Sequence, residues 1–198
     1  TSIEKIPMVI ARTGWSGELS YELYLQDRKL GNDLFEIVYE AAKEFNGAVI
    51  APNTIRTIEG GLLSYGSDFG REHSPYTIGL ERLIDLDQDI DFIGKEALKR
   101  INKAGLKEKL VGVELEGEPI LKVPENFWPV LDDKDTKIGR LSRCFFSPRL
   151  EKNIGLAIVD IHYSKSGTEI IVQAPYEKIS SIVVDLPWFE AEKEVNLD

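Results

Sequence analysis

A lone carboxylate in an apolar run is the first candidate for ligand chemistry. Glu22 interrupts the otherwise apolar segment 21–25, which predicts a strand. A carboxylate buried there needs a partner, and a heterocycle with adjacent N–H and NH₂ donors supplies two parallel hydrogen bonds. Trp15, in the preceding glycine-containing loop, could add a stacking wall. The alternative is that Glu22 faces solvent on an edge strand, because glutamate is rarely buried.

A second candidate combines a helix start, an arginine and paired glycines. The segment 53–61 begins with Asn53, a helix-capping residue, carries Arg56 in the first turn and ends in two glycines. Helix amides and a guanidinium can together receive an anion, and Tyr65 follows a few residues later. The alternative is a surface ion pair between Arg56 and Glu59 at i,i+3, which stabilises little.

Three arginines in the C-terminal half form a third candidate. Arg140, Arg143 and Arg149 stand out in an acidic chain and could bind the carboxylates of a ligand. The alternative is that they only solvate one face of a sheet.

Composition and charge exclude several classes of protein. Of the 198 residues, 42% are apolar and 29% are charged, which is typical of a globular protein. The formal net charge of −10 argues against nucleic acid or an anionic membrane as the main partner. Since no apolar run approaches the roughly 20 residues of a membrane span, we expect no transmembrane segment.

Few residues are available for metal or disulfide chemistry. The chain has one cysteine, Cys144, which excludes an intrachain disulfide and predicts a core thiol. The two histidines, His73 and His162, show no partner pattern, so we expect no metal site. One free cysteine and the lack of a signal-peptide pattern at the start indicate a cytoplasmic protein.

The hydrophobic pattern changes near residue 105 and predicts two regions. Residues 1–105 read as α+β, with strands over 8–11 and 21–25 and helices over 33–45, after Pro52, and over 95–104. Residues 106–198 read as an all-β domain, a small antiparallel barrel or sandwich. Its predicted strands are 110–115, 137–141, 154–160, 169–172 and 179–186.

Four segments, in order along the chain, resemble the glycine-cleavage T-protein (aminomethyltransferase) family. Residues 12–22, RTGWSGELSYE, resemble its R-T-G-Y-T-G-E-x-G-Y-E signature. Residues 58–68 resemble its R-L-E-x-G…Y-G-x-D segment, and residues 91–98 match D-F-I-G-K-E-A-L. The stretch 138–155 resembles the strand pair G-x-V-x-S…S-P…N-I-G of its last domain, so the resemblance covers about residues 8–190.

The resemblance implies a fold, a cofactor and a binding site. The expected fold is the C-terminal part of a T-protein-like fold, an α+β region followed by a small antiparallel β-barrel or jelly-roll-like domain. The expected cofactor is tetrahydrofolate. Glu22 lies at the position of the family's pterin-binding glutamate, and Trp15 at that of a folate-contacting tyrosine. The expected cofactor-binding residues are Glu22, Trp15, Arg56, Tyr65 and Arg149.

Two features of the resemblance bear on the reaction. Asn53 and Thr54 stand where the family has Arg-Asp, which disfavours the standard aminomethyl reaction. The family's catalytic aspartate lies in an N-terminal region that this sequence does not contain, so the catalytic residues stay unknown. We therefore expect these 198 residues to be inactive alone.

One branch of the family matches further motifs. Residues 52–66 and 117–130 are similar to dimethylsulfoniopropionate demethylases, which move a methyl group from a sulfonium to tetrahydrofolate. The resemblance thus implies a small-molecule methyl donor as partner. The alternatives are a glycine-cleavage aminomethyltransferase, which needs a lipoyl carrier protein, and a non-enzymatic folate-binding protein. Residues 91–96 lack the cysteine motif that marks the last group.

Overall fold

The computed structural model describes residues 1–51 and 53–188; Pro52, expected to precede a helix, and the end of the predicted second domain, 189–198, lie outside the described residues. The helices are α1 (Gly31–Lys43), α2 (Thr54–Glu59) and α3 (Lys95–Ala104). The strands are β1 (Ser2–Ile3), β2 (Ile6–Ala11), β3 (Glu22–Leu25), β4 (Glu108–Leu115), β5 (Trp128–Leu131), β6 (Lys137–Ser147), β7 (Lys152–Asp160), β8 (Glu169–Gln173) and β9 (Lys178–Val184).

A small antiparallel sheet of β1, β2 and β3 packs one face on α1. Ile6 and Met8 of β2 point inward and are buried with Leu34 of the helix. The opposite face is uncovered among the described residues: the cross-strand partners Val9 and Tyr24 are each more than half exposed. Because side chains alternate along a strand, every second residue of β2 and β3 lies on this outer face.

The second half of the described chain forms a closed antiparallel barrel in the order β4-β7-β6-β5-β8-β9, with β9 pairing back onto β4. Its interior is filled by apolar side chains such as Val113, Val130, Leu141 and Val172, which are fully buried. Closure leaves no unpaired barrel edge. The outer surface of the closed barrel is the surface on which α2 packs.

The short helix α2 lies on the outside of the barrel. Its Ile55 and Ile58 are buried against Ile154, Leu156 and other residues of β7. Six residues are too few to form a stable helix alone, so this packing and the Asn53 side chain, which accepts from the Ile55 amide at 3.0 Å, hold α2 in place. The first turn of α2 is thereby fixed against the barrel wall.

The architecture confirms the predicted α+β class and the antiparallel barrel. The third helix has the predicted bounds, and Asn53 caps α2 as expected. Strand β6 runs six residues beyond the predicted end at Leu141, and β5 was not predicted. The division of the chain between residues 105 and 106 stays a prediction.

Cys144 lies in the barrel interior, as predicted, and burial raises the pKa of its thiol to about 12. Since the thiolate is the reactive form, its fraction at pH 8 is reduced roughly a thousandfold relative to an ordinary thiol. We expect a thiol reagent to leave the folded protein unlabelled at pH 8 and to label it fully in denaturant. Rapid labelling of the folded protein would contradict this burial.

Candidate functional site

The loop between β2 and β3 packs against the end of α2. Gly17 has a φ of +76°, which favours glycine, and a Cβ added there would lie 3.4 Å from Cα of Gly60. Within the loop, the Ser20 hydroxyl donates to the Glu18 carbonyl, and Ser16 Oγ accepts from the Glu18 amide. The loop is therefore held by glycine packing and by its own hydrogen bonds.

A cavity of about 970 Å³ opens between this loop, the end of α2 and the barrel. Trp15 and Gly17 contribute one wall, and the paired glycines Gly60 and Gly61 contribute the next. Apolar side chains, among them Phe69, continue the lining toward β4. Trp15 is 64% exposed, so its indole face is available to a ligand.

Glu22 is the first residue of β3 and lies on the exposed outer face of the small sheet, opposite Ala11. The expectation of a buried carboxylate is therefore wrong, because β3 is an edge strand of this sheet and nothing among the described residues covers its outer face. The Thr13 hydroxyl donates to the Glu22 carboxylate. Glu22 does not line the cavity; the loop that carries Trp15 joins the two places.

Both carboxylate oxygens of Glu59 accept hydrogen bonds from side chains of the protein itself. Glu59 is only 1% exposed, and its two oxygens accept from the Ser147 hydroxyl at 2.6 Å and from Arg56 Nη1 at 3.2 Å. The alternative of a simple surface pair between Arg56 and Glu59 is thus half right, since Arg56 is exposed but its partner is buried. This contact fixes the guanidinium of Arg56 at the edge of α2.

A second carboxylate, Glu18, lies between two arginines. Its Oε1 accepts from Arg149 Nη1 at 3.0 Å and lies 3.9 Å from Arg56 Nη1. Arg149 comes from the turn between β6 and β7, whereas Arg56 comes from α2. All three side chains are between one third and one half exposed. The loop carboxylate therefore bridges α2 and the barrel at the surface.

A buried ion pair of Asp68 and Arg143 joins the segment after α2 to the barrel. A bulge between Leu141 and Arg143 in β6 places two successive side chains, Ser142 and Arg143, on the outside of the barrel. Asp68 Oδ1 accepts from the Ser142 hydroxyl at 2.7 Å and from Arg143 Nε at 2.8 Å, and its Oδ2 accepts from Arg143 Nη2 at 2.6 Å. Arg143 also donates to Thr57 Oγ1 at 2.9 Å.

Two family models match the chain in the order of its two regions. The GCVT N-terminal domain matches residues 1–88, and the glycine cleavage T-protein C-terminal barrel domain matches residues 108–190. The chain belongs to the glycine-cleavage T-protein family. This confirms the resemblance that the sequence motifs predicted.

Individual members of the T-protein family are also similar to this chain in sequence. The aminomethyltransferase of Caldanaerobacter subterraneus subsp. tengcongensis is 34% identical over 95% of this chain and 49% of its own length. The dimethylsulfoniopropionate demethylase DmdA of Ruegeria pomeroyi is 31% identical over 88% of this chain and 46% of its own length. The chain spans about half the length of the curated relatives it matches.

A solved structure agrees in fold. The glycine cleavage system aminomethyltransferase T from Bartonella henselae superposes with a TM-score of 0.75 over 91% of this chain and 49% of that protein. The sequence identity of 19% makes this a likeness of fold alone.

The predicted site residues of this T-protein family chain fall into four places. Trp15 lines the cavity, and Arg56 and Arg149 meet at Glu18 beside it. Tyr65 is exposed, and its ring makes a T-shaped contact with that of Phe69, a lining residue. Glu22 lies apart on the sheet. The roles of all five toward a cofactor stay predictions.

Sequence reasoning missed the bridging role of Glu18 and the partner of Arg143. Glu18 belongs to the family signature, which was a usable signal, whereas the bulge that aims Arg143 outward leaves no pattern in the sequence. Arg140, Arg143 and Arg149 were expected to bind the carboxylates of a ligand, and in the structure they lie beside carboxylates of the protein itself, those of Glu72, Asp68 and Glu18 respectively. A role of these arginines toward a ligand stays a prediction.

In residues 1–51 and 53–188, no group of three or more histidine, cysteine, aspartate or glutamate side chains is arranged to hold a metal ion. In the same ranges, no helix is long and apolar enough to cross a bilayer.

Proposed function

We propose that this chain binds tetrahydrofolate and serves folate-dependent one-carbon transfer. The observation that carries the proposal is the state of three carboxylates. Glu59 and Asp68 are buried and already bonded within the protein, whereas Glu22 is exposed and accepts from the Thr13 hydroxyl. An ionised carboxylate has about four acceptor sites, so Glu22 retains capacity for the paired donors of an aminopyrimidine edge.

The volume and the lining of the cavity beside Trp15 support the same ligand. Its volume of about 970 Å³ is at the upper end for small-molecule sites, as an elongated cofactor requires. Gly17, Gly60 and Gly61 bring backbone to its wall, which allows close approach of a flat ring system. The residues present therefore fit a folate.

The proposed roles follow the loop from β3 to the cavity. Tetrahydrofolate, when bound, supplies the N5 nucleophile that accepts a one-carbon unit. Glu22 accepts from the aminopyrimidine edge and sets the orientation of the pterin. Trp15 provides an aromatic wall, and Arg56 and Arg149 attract the anionic end of the molecule. Tyr65 extends the aromatic surface beside the cavity. We assign no catalytic residue within the described chain.

The donor we favour is dimethylsulfoniopropionate or a similar methylated compound. The 31% identity to the demethylase of Ruegeria pomeroyi supports it, and a sulfonium methyl is already activated, so that positioning is the main requirement. An indole face at Trp15 also suits a cationic sulfur. The alternative is aminomethyl transfer from a lipoyl carrier protein, supported by the 34% identity to an aminomethyltransferase.

An assay of products separates these donors. Formation of 5-methyltetrahydrofolate from dimethylsulfoniopropionate supports the first, and formation of methylene-tetrahydrofolate with ammonia from a loaded carrier supports the second. The assay uses a protein that also contains the family's N-terminal region, because we expect these 198 residues to be inactive alone. Binding of tetrahydrofolate by that protein without either product would favour a non-enzymatic folate-binding protein.

Binding of tetrahydrofolate by the chain tests the proposal without requiring turnover. We expect Trp15→Ala to weaken the affinity about tenfold, because one aromatic contact is lost. Tyr176→Ala is the matched control, since Tyr176 is equally exposed, at 64%, but lies beside Trp128 on the barrel. Calorimetric titration measures both. Equal losses in the two variants, or no binding by the unaltered chain, would contradict the proposal.

A further inference from the structure

The contact of Glu18 with Arg56 and Arg149 has the chemistry of an occupied carboxylate site. Two guanidinium groups from elements 93 residues apart in sequence converge on one carboxylate oxygen, at 3.9 and 3.0 Å. Guanidinium groups bind carboxylates through directed hydrogen bonds. The same two arginines would hold an external carboxylate equally well.

The bridge contributes little to holding the loop. Ion pairs this exposed are worth little in stability, and the loop is fixed by other means. Gly17 packs on Gly60, and the backbone of Glu18 is bonded to Ser16 and Ser20. The side chain of Glu18 can therefore leave the arginines while its backbone keeps its place.

The arginine on α2 would stay in place if Glu18 left. Arg56 is bonded to Glu59 at 3.2 Å, and Glu59 is in turn anchored by the Ser147 hydroxyl at 2.6 Å. Glu18 directly follows Gly17, a lining residue of the cavity. A binding site for an anion is thus preformed at the rim of the cavity, and a carboxylate of the protein itself occupies it.

We propose that Glu18 is an internal substitute for a ligand carboxylate, and that the glutamate tail of a folate displaces it from Arg56 and Arg149. This inference rests on the proposed function. The exchange involves no covalent step: the contacts of Glu18 with Arg56 and Arg149 break, and those of the ligand carboxylate with the same arginines form. Its consequence is that Glu18 competes with the tail and lowers the affinity of the protein for any ligand that carries one.

The test compares tetrahydrofolate with tetrahydropteroate, which has the same pterin and aminobenzoate but no glutamate. We expect Glu18→Gln to bind tetrahydrofolate about fivefold more tightly, the size of one exposed ion pair, and to leave the affinity for tetrahydropteroate unchanged. Glu40→Gln is the matched control, because it removes the same charge from an exposed ion pair with Lys43 on α1. Arg149→Met should remove any difference in affinity between tetrahydrofolate and tetrahydropteroate, because the tail would lose its partner.

Each outcome of the calorimetric titrations decides the inference. Unchanged affinity of Glu18→Gln for tetrahydrofolate, or equal changes for both ligands, would overturn it. If neither ligand binds, the proposed function fails separately, and the tail peptide γ-glutamylglutamate alone decides the site. Tighter binding of this peptide by Glu18→Gln than by Glu40→Gln then supports the inference, and equal binding overturns it.

Discussion

Replacing Arg143 by methionine is expected to lower the free energy of unfolding by about 3–5 kcal/mol, because the change leaves a buried carboxylate without its partner. Water cannot replace the lost guanidinium, since the Asp68 side chain is fully buried. The Asp68 carboxylate would keep only the Ser142 hydroxyl and the Ser64 amide as donors. The Thr57 hydroxyl and the Leu62 carbonyl would also lose a donor. Urea unfolding followed by circular dichroism measures the loss.

The neighbouring Arg140 provides the control. Arg140→Met removes an arginine of the same strand that is 28% exposed, lies over the ring of Phe127 and is 3.7 Å from Glu72. We expect a loss of about 1 kcal/mol or less, as for other exposed pairs. A double variant Asp68→Asn, Arg143→Met should lose less than the two single variants combined, because no charge is left unpaired. Similar small losses for Arg143→Met and Arg140→Met would contradict the buried network.

Replacing Glu22 by alanine is expected to weaken the binding of tetrahydrofolate by about 10- to 100-fold, the range for lost hydrogen bonds to a charged group. Glu22→Gln should be intermediate in effect, because the amide keeps one acceptor oxygen and presents a donor where the ligand also donates. Neither change should alter stability by more than about 0.5 kcal/mol, since the side chain is exposed.

The Glu22 result requires a control for charge alone. Glu40→Gln removes one negative charge from an exposed position on α1 and should leave the affinity unchanged. Calorimetric titration at two salt concentrations separates a direct contact from a general effect of the net charge. If Glu22→Ala binds as tightly as Glu40→Gln, Glu22 does not belong to the folate site.

Local patterns were sufficient to predict the elements that form by local rules. The third helix carries apolar residues at helical spacing between glycines and has the predicted bounds Lys95–Ala104. Strand β5 was missed because its four residues, Trp128–Leu131, contain a proline and no alternation of polar and apolar side chains. The extended end of β6 was missed because the bulge near Ser142 shifts the alternation by one residue.

The candidate site depends on contacts that sequence spacing does not encode. The family signature identified Trp15 and Glu22, but not that the first faces a cavity and the second the outer face of an edge strand. The convergence of Arg56 and Arg149 on Glu18 joins residues from three elements, and only the packing of α2 on the barrel brings these elements together. Contacts between residues of different elements, such as these, can be identified only from the tertiary structure.

The most direct test of the folate proposal is a crystal structure of the chain grown with tetrahydrofolate under anaerobic conditions. We predict that the pterin binds with its aminopyrimidine edge on the Glu22 carboxylate and with the indole of Trp15 beside the ligand. A pterin bound elsewhere, with the Glu22 carboxylate still facing bulk water, would contradict it.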